Sequence, residues 1–115
     1  MTAQNKKQTI TDNLPPISKL INFVEYQDDA IVSKTLLDTK AETVTIFAFA
    51  AGQGLSEHAA PFEAMVSILD GDAEITIDSK SIHLKAGEMV TMPANTPHAL
   101  QAIKKFKMML VMQRV

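Results

Sequence analysis

Apolar residues are sparse and unpatterned at the start of the chain, and from Ile31 onward they fall into short, regularly spaced runs. Met1 to Asn13 is polar (Gln4, Asn5, Lys6, Lys7, Gln8) and has no periodicity, which predicts a mobile tail over residues 1–14. Pro15-Pro16 stiffens the chain, and Ile17 to Ile21 predicts one helical turn with proline at its start. No longer helix is predicted anywhere. Ile31 to Leu37 reads as a strand with Ile31, Ser33, Thr35 and Leu37 on one face, followed by a turn over Asp38 to Glu42. In Thr43 to Ala50, Val44, Ile46 and Ala48 face one way and Phe47 and Phe49 the other. A strand apolar on both faces is buried on both, which places a barrel interior on one side and a second sheet or a partner chain on the other.

Six more short strands are predicted: Glu63 to Leu69, Asp72 to Asp78, Ser81 to Leu84, Glu88 to Met92, His98 to Ile103 and Phe106 to Gln113. Turn signals separate them at Asp70-Gly71, Asp78-Ser79-Lys80, Lys85-Ala86-Gly87, Pro93 to Pro97 and Lys104-Lys105. Asp-Gly between alternating apolar runs predicts a hairpin at residues 70–71. Strands at this spacing predict an all-β antiparallel sandwich or barrel over residues 15–115, as one domain. The length, 115 residues, suits a single core. Only five Phe and one Tyr supply large aromatic volume, so seven Met and the aliphatic residues must fill the rest.

Charge and composition narrow the function classes. A net charge of -2 gives no electrostatic footprint for nucleic acid, and Lys104, Lys105 and Lys107 read as a solvated loop. The absence of cysteine removes thiolate nucleophiles, disulfides and cysteine-type zinc sites, and fits a reducing compartment. No apolar run is long enough to span a bilayer, and no apolar stretch follows the first lysines as in a signal peptide, so the expectation is a cytoplasmic protein without membrane contact. There is no placeable Ser-His-Asp pattern and no glycine-rich phosphate loop.

Two stretches carry the candidate chemistry. The first runs from Gly52 through His58 to Gly71, and the second from Gly87 through Pro93 to His98. They resemble the two motifs of the cupin superfamily, small jelly-roll barrels of the double-stranded β-helix (RmlC-like) type. Gly52, His58 and Gly71 match the first motif; its second histidine falls on Ala60 and its glutamate on Ala64. Gly87, Pro93 and His98 match the second, with Asn95 in place of a glycine and Ala102 in place of the last asparagine. The resemblance covers roughly Ile31 to Gln113. It implies three histidines and one glutamate converging on a metal, of which this chain keeps His58 and His98.

His58 and His98 are therefore the candidate metal ligands, for a divalent ion such as Fe, Mn, Ni or Zn, or no ion at all, since open catalytic sites use a third protein ligand. Glu63 is the candidate third ligand. It lies one residue from the family position and so on the opposite face of a regular strand, unless Pro61 bulges the corner and resets the parity. The bland alternative is a pair of barrel-mouth histidines bonded to backbone or water, with Glu63 and Glu57 as surface charge. His83, between Ile82 and Leu84, is expected to face out; Met65, Met89, Met92, Met108, Met109 and Met112 line a pocket or fill the core. Three functions stay open: a barrel binding a small molecule near His58 and His98, with or without metal; a metal-dependent dioxygenase or isomerase, as the resemblance implies; and a non-catalytic sensor or accessory domain. Alanines at 60 and 64 leave an apolar lumen, which favours an apolar ligand with one polar end. The apolar strands 43–50 and 106–112 suggest a homodimer.

Overall fold

A computed structural model describes residues 18–114; the expected tail over residues 1–14 lies outside them. The described chain is all β apart from one 3-10 turn, Leu20–Asn22, which overlaps the predicted helical turn. Eight strands follow: β1 (Ile31–Asp38), β2 (Glu42–Phe49), β3 (Gly54–His58), β4 (Phe62–Ile77), β5 (Lys80–Lys85), β6 (Met89–Met92), β7 (His98–Gln101) and β8 (Phe106–Arg114). All pairings are antiparallel, in the order β1-β2-β8-β4-β7-β3, with β5 and β6 also on β4. The sheet curls on itself as a jelly-roll barrel.

Strand β4 organises this arrangement. Its first half pairs with β8 and β6, and its second half with β5 and β7. The β4–β8 ladder shifts register between Ile68 and Asp70, and the change of sheet follows at Asp70-Gly71, so the hairpin predicted there is corrected to the interior of one strand of 16 residues, just past a bulge. A two-residue hairpin of the favoured type needs positive φ at both central residues. At 70–71 only Gly71 has it, at 74°. Asp78 and Ser79 have φ of 50° and 68°, and they close the β4–β5 hairpin. Gly71 is required for a second reason: a Cβ there would collide with the Lys105 carbonyl and press on Phe106.

The doubly apolar β2 is buried on both faces. Inward, Phe49 stacks on Phe106 with ring centroids 4.7 Å apart, within a core of Val66, Ile68, Ile75, Leu84, Leu100 and Met108. Outward, Ile46 and Ala48 pack with Val24 and Leu36 under Phe23 and Tyr26. The second layer over β2 is thus this chain's own segment 23–26. Tyr26 fastens that segment: its hydroxyl donates to Asp70 Oδ2 at 2.7 Å, and the ammonium groups of Lys105 and Lys107 sit 4.7 and 5.0 Å from its ring centre. Lys107 also donates to the Ile21 carbonyl at 2.6 Å. Of the three lysines expected to form a solvated loop, Lys105 and Lys107 thus hold a packed segment in place, while Lys104 is exposed.

Candidate functional site

The inward faces of β3, β4, β6, β7 and β8 enclose one pocket. Alternation along β4 points Phe62, Ala64 and Val66 into it, and alternation along β8 does the same for Met108, Leu110 and Met112. Met92, Leu55 and Leu100 complete an apolar wall, and Ala60, His58 and His98 complete the lining. The cavity measures about 60 Å3. A single water needs roughly 10–15 Å3 on that scale, so a few waters or a slender apolar group fit. Of the six methionines proposed as lining or filler, Met92, Met108 and Met112 reach this pocket; Met109 packs in the outer core, and Met89 is exposed.

His58 and His98 are the polar part of the lining. They lie directly opposite each other on β3 and β7, and their rings meet edge to face with centroids 4.3 Å apart. The β3–β7 ladder shifts register between Leu55 and His58, which brings this cross-strand pair together. Each ring is held by a carbonyl two residues before it: His58 Nδ1 lies 2.8 Å from the Ser56 carbonyl oxygen, and His98 Nδ1 lies 3.1 Å from that of Thr96. A carbonyl oxygen only accepts, so each Nδ1 carries the proton and donates. In the neutral rings each Nε2 then keeps a lone pair, fixed by the bond on the other nitrogen.

Glu63 does not join them. Its neighbours Phe62 and Ala64 line the pocket, while its carboxylate accepts the Ala94 N–H at 2.9 Å and so ties β4 to the β6–β7 loop. Pro61 leaves the β4 parity intact, and the candidate third ligand is corrected to a loop anchor. His83 is exposed on β5 with Nε2 3.1 Å from Asp72 Oδ2, and it is not part of this pocket's lining. Strand β3 was missed because Gly-Leu-Ser-Glu-His has one apolar residue and no β-branched one.

The metal implied by the resemblance can be tested against this donor set. Ala60 and Ala64 line the pocket beside the histidines at the two remaining family positions, and a methyl group cannot ligate. Among the described residues no group of three or more His, Asp or Glu side chains is set to hold an ion. Two imidazoles do not fit a resident divalent metal, which takes at least three protein ligands in open sites.

Comparison with known proteins agrees with this architecture. The family profile described as cupin domain matches residues 45–113. A conserved Streptococcus pyogenes protein of unknown function is 37% identical, with a TM-score of 0.83 over 86% of this chain and 87% of that one. A cupin 2 conserved barrel domain protein from Leptotrichia buccalis is 41% identical with a TM-score of 0.77; the match covers 79% of this chain but 44% of that protein. A cupin superfamily protein from Desulfitobacterium hafniense, 24% identical, shares the fold at a TM-score of 0.85 over 96% of this chain and 99% of that one. Among curated proteins no match is found.

Proposed function

Because the chain belongs to the cupin family, we propose that it works as a small-molecule-binding barrel whose lumen takes a slender apolar body and whose paired histidines receive the ligand's polar end. One observation carries this reading. Both Nδ1 atoms are spent on backbone carbonyls, so two acceptor nitrogens remain at a pocket whose other lining is aliphatic, aromatic and thioether. Two fixed acceptors select a donor, such as a hydroxyl or amine, and the apolar wall selects what it is attached to.

Calorimetric titration with straight-chain alcohols tests this. Each ligand hydrogen bond lost should weaken alcohol binding about fivefold. A hydroxyl has one proton to give, so either histidine alone can accept it, and the loss should appear in full only in the double variant His58→Ala with His98→Ala. Equal alcohol affinity in the double variant and the native protein would overturn the reading.

The metal-dependent alternative requires a third ligand from outside the pair. Stoichiometric Fe, Mn, Ni or Zn in the purified protein, lost on His58→Ala, would favour it over the ligand-binding reading.

A further inference from the structure

The pocket has a neighbour. Phe62 and Met112 line it on one side, and the opposite side of the same two residues lines a second cavity of about 70 Å3 beneath the β1–β2 turn. The register explains why. On the inward face Thr43 of β2 lies opposite Met112 of β8, Met112 lies opposite Ala64 of β4, and Arg114 lies opposite Phe62 one step further along. The second cavity is thus the same inward surface continued past the Phe62–Met112 pair.

Two features mark it as more than a packing gap. The Thr43 hydroxyl is buried there and has no hydrogen-bond partner. A buried polar group left unpaired is costly and calls for an explanation. The Arg114 guanidinium lies 5.3 Å from the centre of the Phe62 ring, a cation–π contact that holds the ring across the passage from its outer side. Phe62 is half-buried and turns about two side-chain torsions, so its rotation can join the cavities. Among the described residues the rim carries two carboxylates, Asp38 and Glu42, and two cations, Lys40 and Arg114, which balance.

We propose that Phe62 is a movable partition and that the ligand is an elongated molecule with an apolar middle and an uncharged hydrogen-bonding group at each end. One end meets His58 and His98, and the other meets the Thr43 hydroxyl. The charge-balanced rim disfavours an ionised far end. This rests on the ligand-binding reading above and adds the second end.

Calorimetric titration with α,ω-alkanediols from hexanediol to dodecanediol, against the matching mono-alcohols, distinguishes the two claims. A ligand held only in the first pocket leaves its far hydroxyl unpaired, so every diol binds more weakly than its mono-alcohol. A ligand bridging both pockets gives an optimum length at which the diol binds more tightly, by about fivefold for the added bond. Thr43→Val should abolish that optimum and leave the mono-alcohols unchanged. Arg114→Gln, which frees the ring without touching the core, should strengthen binding of the optimal diol. Diols weaker at every length, or an optimum that survives Thr43→Val, overturns the bridging claim alone. No binding of any alcohol by any variant overturns it together with the ligand-binding reading.

Discussion

The site turns on four side chains at four positions of one motif pair, two imidazoles and two methyl groups. The spacing of His58 and His98 was readable in the sequence because the turn glycines and Pro93 bracket each of them. Their contact was not, since it depends on a register shift between β3 and β7 that no local pattern announces. Glu63 shows the opposite case: strand parity alone placed it away from the lumen, and the Ala94 amide supplies its partner. If Ala60 and Ala64 occupy blanked ligand positions, Ala60→His with Ala64→Glu restores a four-ligand set. That variant should bind one Ni or Zn per chain at least about a hundredfold more tightly than the native protein, as measured by calorimetric titration. An unchanged affinity would mean that residues 60 and 64 do not point toward the histidines.

At the scale of the element, the errors and successes share a cause. Asp70-Gly71 and Asp78-Ser79 are both turn-forming dipeptides, and the weaker signal made the hairpin. Tertiary packing decided: Gly71 pairs with Phe106 and lies against Lys105, so the chain there continues as β4. Gly71→Ala should therefore cost about 1–3 kcal/mol or more, read from a denaturant midpoint at unchanged slope. The segment carrying Tyr26 makes a second prediction. Burial, and then the bond to the Asp70 carboxylate and its charge, push the Tyr26 phenol well above its ordinary value. The unfolded phenol ionises near pH 10 while the folded one resists, so its contribution is full below that pH and fades as pH rises past it. Thermal melts of Tyr26→Phe should converge on the native protein's as pH climbs from 9 to 11, roughly the range about the free phenol's value. A constant difference would mean that the phenol ionises alike in both states.

At the scale of the molecule, the all-β barrel was legible because turn residues recur at barrel spacing, and the doubly apolar β2 announced that both its faces are covered. What the sequence left open was the cover: the outer layer is partly the chain's own segment 23–26. Beyond it a row of Val44, Val111 and Met65 crosses three neighbouring strands half-buried, with Met89 nearly half exposed at 48%. We expect two copies to pair over this face. Light scattering should give twice the chain mass, and Val111→Glu should halve it; a native monomer at high concentration would refute the pairing. One strand also makes the barrel a single mechanical unit. Because β4 belongs to both sheets, neither sheet can peel off without breaking the ladder that holds the other. Amide protons on the two sides of the bulge should therefore exchange through one common opening event, and a blow to either end of β4 should be felt in the melting of the whole.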